Sequence, residues 1–342
     1  MIGSEMERQI IKRLLNLIQM KSKIYNIKSR LLVGAFLSIC LLNINNQLIA
    51  QTDTIVTTSN KTPIKVKPVK NTFNSTGIID NQSVMVPVQG AIEMNIQHRF
   101  GTINNGYKDM YGLFAPANMR LAVAYTPIKN LSIGGGLTKI NLLWDIDAKY
   151  SIITQTPGKY PVSITYFGVM AFDTRENVDS SLFKYNSQRY SFFNQLIIAR
   201  KFSERFSLQV APSVSHQNSV NGFYTKNDST GKTTFQEMFH DHIAVAVSGR
   251  YKLGSSSSVL FDYNQPITKH NINNPAPSAS IGLEMYTSGH SFQIFFTNFF
   301  ALSPQHNNLF NQNSPFEYTK NEAGDKMSGG KYLLGFNITR LW

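Results

Sequence analysis

The chain of 342 residues has a single cysteine, Cys40, and it lies inside an apolar N-terminal run. Disulfide frameworks, cysteine-based zinc sites and thiol nucleophiles are therefore excluded for everything beyond that run. Charge is scarce as well. Asp, Glu, Lys and Arg make up 15% of the residues, against about 25% in an average soluble domain. No apolar stretch approaches the roughly 20 residues that a transmembrane helix needs. Any membrane span must therefore be made of strands. Two signatures of chemistry are missing too. There is no G-x-S-x-G elbow to present a hydrolase nucleophile. Gly231-Lys232-Thr233 looks like the end of a phosphate-binding loop, but Lys226 stands where that loop needs glycine.

What is present begins with an export signal. Lys21, Lys23, Lys28 and Arg30 precede the apolar run Leu31 to Leu42, and Leu48-Ile49-Ala50 follows. A basic region, an apolar region and a small residue form a cleavable secretory signal. The expected cut falls after Ala50, with Met20 as a natural start. A lipoprotein reading would use Cys40, but Ile39 precedes it and the cysteine sits within the apolar run. Residues 51–90 read as an extended periplasmic linker, on the strength of KTPIKVKPVK at 61–70. The formal charge is +13. Its basic residues form no block in 91–342, so no nucleic-acid partner is expected, and no cofactor either.

From residue 91 onward the two-residue period of a strand recurs. Leu131, Ile133 and Leu137 oppose Ser132, Gly134, Gly136 and Thr138; Trp144, Ile146, Tyr150 and Ile152 oppose Asp145, Asp147, Lys149 and Ser151. Such segments number about twelve. Most reach the 9–11 residues that cross a bilayer at a tilt. The links alternate short and long, and aromatic residues such as Tyr125, Tyr150, Tyr251 and Tyr286 stand at strand ends. This pattern predicts an all-β, antiparallel, up-and-down transmembrane barrel over 91–342. Short turns would face the periplasm and long loops the outside. A secreted β-sandwich, the rival reading, requires neither long strands nor one-sided loop lengths.

The segment Ile96–Lys139, followed by Trp144–Thr156, resembles a Bacteroidetes outer-membrane β-barrel family of unknown function. His98-Arg99-Phe100-Gly101 and Asn118-x-Arg120 carry the likeness. The resemblance implies a cell-envelope barrel and transfers no catalytic residue. The last strand, Gly335–Trp342, resembles the terminal signal read by the barrel-assembly machinery, with Phe336, Ile338 and Trp342 on its apolar face. Outer-membrane lipid and that machinery are the partners implied.

Few residues suggest chemistry. Glu93, Arg99, Arg120, Asp145, Asp147, Lys149, Asp262 and Glu284 fall on the polar faces of their strands and are expected to line the lumen. There they would either select permeants or pair across a narrow barrel and fill it. His240 and His242, two apart on a strand expected at 239–252, would share a lumen face and form two-thirds of a metal site. With His98 or His216 and a serine they would otherwise suit a rim hydrolase. Two functions follow: a passive narrow channel or loop-displaying scaffold, with 218–238 and 302–330 as exposed loops, and a rim-site metal-binding or hydrolytic barrel.

Overall fold

A computed structural model describes residues 67–342 apart from 179–181, 227–230, 271–272 and 321–325. The expected signal, 1–50, and the first part of the expected linker lie outside the described residues. Two short strands, β1 (Gly77–Ile78) and β2 (Asn81–Gln82), come first and form a hairpin. The wall begins with β3 (Ile92–Thr102), β4 (Asn118–Ile128), β5 (Leu131–Thr138) and β6 (Leu143–Ile153). It continues with β7 (Ser163–Asp173), β8 (Tyr190–Lys201) and β9 (Phe206–Gln217). A loop hairpin, β10 (Gly222–Lys226) and β11 (Thr233–Glu237), intervenes. The wall resumes with β12 (Asp241–Lys252), β13 (Ser257–Pro266), β14 (Ser278–Tyr286) and β15 (His290–Thr297). After a second loop hairpin, β16 (Thr319–Lys320) and β17 (Lys326–Ser328), the wall ends in β18 (Leu333–Leu341).

Twelve of these strands close into one antiparallel barrel, each bonded to its sequence neighbour in the wall. β18 returns to β3, with Ile338 opposite Ile96 and Asn337 opposite Gln97. Closure leaves no free strand edge, the condition for a sheet to stand in hydrocarbon. The strands match the sequence pattern to within about two residues, except that the strand expected over 290–301 ends at Thr297. The links follow it for the most part: 129–130, 202–205, 253–256 and 287–289 are tight, whereas 103–117, 174–189, 218–240 and 298–332 are long and lie at the opposite rim; the link at 139–142 is short on the long-loop side, and 154–162 is longer than the tight turn expected there.

The burial pattern inverts that of a soluble protein. Along β13, Ser258, Asp262 and Asn264 are buried, while Val259 and Phe261 are partly exposed. Along β6, Asp145 and Lys149 are buried, whereas Trp144 and Ile146 are more than half exposed. An apolar outer band around a polar interior needs lipid, not water, as its outer solvent.

The expectation of an extended linker fails over 71–85. Phe73, Ile78, Ile79 and Val84 are buried and pack with Phe167, Phe193, Ile197, Phe295 and Phe299 of the inner wall and rim. This stretch enters the barrel and turns back within it. The reading of 302–330 as an exposed loop fails at its start: Gln305, Asn307, Asn308 and Leu309 of the short helix Pro304–Phe310 are buried. Ser303 precedes that helix and Pro304 opens it, where a ring with no N–H costs nothing.

Candidate functional site

The inner wall is polar because alternate residues of each strand face it, and most of what faces it bonds to the inserted segment. Asp262 on β13 accepts the backbone N–H groups of Asp80 (3.1 Å) and Asn81 (3.2 Å). It also accepts the Asn81 amide (2.8 Å) and the Ser248 hydroxyl (2.7 Å). Lys149 on β6 donates to the Thr76 carbonyl (2.7 Å) and the Gln82 side chain (2.9 Å). Glu93 on β3 accepts the Thr76 hydroxyl (2.7 Å). Gln293 on β15 donates to the Gly77 carbonyl and accepts the Ile79 N–H. Asn337 on β18 donates to the Ile79 carbonyl (2.7 Å). Further bonds reach the segment from Thr165 (β7), Gln195 (β8), Gln209 (β9), Arg250 (β12) and Glu284 (β14). Ten of the twelve wall strands thus hold residues 71–85, so the segment is a plug, surrounded on nearly every side.

All eight charged residues singled out from the sequence face this interior. Arg99 is fully buried, donates to Asn337 (3.0 Å) and lies over the Phe295 ring at 4.5 Å. Arg120 forms a two-pronged pair with Asp145, one bond measuring 2.9 Å, and stands 3.6 Å from Asp147. Gly136 makes room for it. A Cβ there would sit 2.7 Å from the Arg120 guanidinium carbon. Gly136→Ala is therefore expected to displace Arg120 and cost about 1–3 kcal/mol. A lowered midpoint for loss of the heat-resistant folded band would register it.

The plug makes no hydrogen bond to β4 or β5 through residues 71–85, and there the lumen stays hollow. A cavity of about 80 Å³ lies between the plug and Arg120, Ala124, Ser132, Asp145 and Asp147. Above it, the helix Pro304–Phe310 caps the lumen. Gln305 donates to Ser191, Asn308 donates to Ser215 and accepts from Asn264, and Asn307 donates to Asp80 of the plug at 3.3 Å. Cap and plug therefore touch. A wider basin of about 390 Å³, lined by Asn118, Asn141, Arg189 and His306 among others, opens on the far side of the cap. Leu143, Leu302 and Ser303 border both spaces and form the throat between them.

The histidine pair does not assemble as the sequence suggested. β12 begins at Asp241, so His240 precedes the strand; it is exposed and bonds the Gln217 carbonyl. His242 is buried and pairs with His270 at 3.1 Å. Among the described residues no group of three or more His, Cys, Asp or Glu is arranged to hold a metal. His216 bonds Asp241 and Asn218, and His98 stacks on Phe336 at 5.0 Å on the outer face. No histidine nitrogen bonds a serine hydroxyl among the described residues.

His306, in the cap helix, has its imidazole pushed down to about 4, chiefly by burial and then by the Arg175 guanidinium, while Asp173 pulls the other way. The Phe310 ring lies tilted against it, with centroids 4.8 Å apart. The folded cap thus binds its proton less tightly than the unfolded chain. Between about pH 6.5 and 4 the unfolded state takes up the proton first, so the cap is most secure above 6.5 and weakens as pH falls. Amide exchange across 298–313 should quicken from pH 7 to 4.5, after correction for intrinsic rates, and His306→Gln should flatten that change.

The sequence carried signals for residues it did not yield. Gln293 and Gln195 occupy the same polar faces as the charged residues and were findable by the same two-residue period.

Comparison with known proteins gives a family match over residues 73–342, to "Membrane bound beta barrel domain (DUF5777)". The matched region begins at Phe73 and so includes all but the first two residues of the plug. Curated proteins give no match. Among solved structures, the NanC porin is 8% identical, with 73% of this chain and 98% of that one covered and a TM-score of 0.41. An outer-membrane channel from Pseudomonas putida F1 is 10% identical, with 75% and 97% covered and a TM-score of 0.42. The Pseudomonas putida toluene transporter TodX is 8% identical, with 75% and 89% covered and a TM-score of 0.32.

Proposed function

Since the chain belongs to this family of membrane-bound β-barrel domains, we propose that it is an outer-membrane channel held shut by its own N-terminal segment. The observation that carries the reading is the way the plug is held. Its backbone and side chains are bonded to polar groups of the wall from ten strands, and water can satisfy those same groups once the plug leaves. Exchanging one set of hydrogen bonds for another is close to balanced. A plug of this kind is displaceable, unlike one sealed wholly by apolar packing.

The open lane would follow β4 to β6: outer basin, throat at Leu143 and Ser303, then the cavity beside Arg120, Asp145 and Asp147. The short turns, and the chain leading into the plug, face the periplasm. The long loops face out. The signal at 1–50 directs export, and the assembly machinery reads Phe336, Ile338 and Trp342 in the last strand. The exposed β10–β11 hairpin, with Tyr224 against Phe235 at 5.3 Å, supports a second role in displaying a loop to the outside. Conductance through barrels freed of residues 71–86 tests the channel, and its absence would leave the display role standing alone.

A further inference from the structure

The short-turn rim carries a charge bias that the channel reading does not use. Lys129, Lys159 and Arg205 are exposed in its turns, and Arg200 and Arg340 point outward from the ends of β8 and β18. Glu204 is the only acidic side chain in those turns, and Lys201 takes it at 2.8 Å. None of the five cations is paired with a carboxylate among the described residues. The opposite rim mixes signs, with Asp173 bridged to Arg175 and with Glu237 and Asp241 close to His240 and His216.

The cations are interleaved with aromatic rings. Lys159 lies over Tyr160 at 5.0 Å, Arg200 over Phe202 at 5.2 Å and Arg340 over Trp342 at 5.3 Å. Those three rings are 39%, 41% and 61% exposed. Arg340 also bonds the ring of His290, its cross-strand neighbour on β15. Aromatic rings settle at the level where hydrocarbon meets headgroups. Long cationic side chains beside them reach the same level from below. A ring of unpaired cations at that depth attracts negatively charged headgroups.

We propose that the short-turn rim is a collar that gathers anionic phospholipid, phosphatidylglycerol in chemical class, around the barrel. The proposal needs only that the barrel stands in a bilayer and is independent of whether it conducts.

The chain contains two tryptophans, and they report on opposite rims. Trp342 lies in the collar; Trp144 is the second residue of β6, at the long-loop rim. Trp144→Phe leaves Trp342 as the sole reporter, and Trp342→Phe leaves Trp144. The full chain is reconstituted in phosphatidylcholine vesicles containing phosphatidylglycerol as a minor lipid, with one or the other lipid brominated. At equal mole fraction, brominated phosphatidylglycerol should quench Trp342 roughly threefold more than brominated phosphatidylcholine does. The excess should shrink at high salt, and replacing Lys129, Lys159 and Arg205 with Gln should cut it by about half or more, Arg200 and Arg340 remaining. Trp144 should show no excess. These three sites are exposed turn residues, so the variants keep the barrel closed, as unheated gel mobility will verify. If the terminal Trp342→Phe variant fails to assemble, the Trp144→Phe arm decides alone. Equal quenching of Trp342 by the two lipids overturns the proposal and leaves the collar to an acidic soluble polymer. An excess left undiminished in the Gln variants overturns it too.

Discussion

Deleting residues 71–86 should raise the ion conductance of the reconstituted barrel by roughly tenfold or more over the intact chain. The intact lumen is filled from ten sides by the plug and from above by the cap helix, which leaves a cavity of about 80 Å³. Water occupies such a space, but ions in single file face a blocked floor. Without the plug, the charged side chains of the inner wall stand bare. Glu93, Asp145, Asp147, Asp262 and Glu284 bring five carboxylates, and Arg99, Arg120, Lys149 and Arg250 four cations. The near-cancellation predicts weak selectivity between cations and anions, readable as a small reversal potential in a salt gradient. Removing 304–310 as well should widen the opening further. The apolar wall patch at Phe167, Phe193, Ile197 and Phe295 will be wetted by the deletion and will cost some stability. Heat-dependent gel mobility must therefore show that the variant still closes. A closed barrel without its plug that passes no current would sink the channel reading.

The wall was legible from sequence and its contents were not, for one physical reason. A wall strand has two environments, lipid and lumen, and alternates between them with a fixed period. The choice of Asp145, Asp147 and Lys149 against Trp144, Ile146 and Tyr150 is that alternation in full. The plug has no such frame. Phe73 faces an apolar patch, Thr76 a carboxylate, Ile79 an amide and Asn81 a carboxylate again. Each residue is matched to a different strand that lies far away in sequence, so no period survives. The Lys and Pro run at 61–70 then set the tone for a segment that it only borders. The cap helix escaped for a similar reason. Its buried face is Gln305, Asn307 and Asn308, which answer polar wall residues and so read as loop composition. His240 and His242 show how a shift of two residues at a strand boundary dissolves a site: a pair drawn two apart on one face becomes one rim residue and one buried residue.

Asp262→Ala should release the plug without removing it. No other wall residue takes as many of its bonds. Two backbone N–H groups meet one carboxylate oxygen, while the Asn81 amide and the Ser248 hydroxyl meet the other. Alanine would leave all four donors without that acceptor, three of them at the tip of the hairpin, and Asn81 would lose the partner that orients its amide toward Gln195. Bonds to a charged group contribute about 1.5–3 kcal/mol each, with strong overlap among those that share one acceptor, so a net loss of about 3 kcal/mol is expected. That is about a hundredfold in the plug's docking equilibrium. Amide exchange at Ile79, Asp80 and Asn81 should therefore lose about two orders of magnitude of protection, while the wall strands keep theirs. Asp262→Asn retains one accepting oxygen and should fall between. In bilayers, the same variant should show brief openings that the intact chain lacks. Unchanged protection in Asp262→Ala would assign the hold to Phe73, Ile78, Ile79 and Val84. Apolar contacts of that kind have no equivalent in water, so the plug would then be a permanent part of the core and the lumen no path at all.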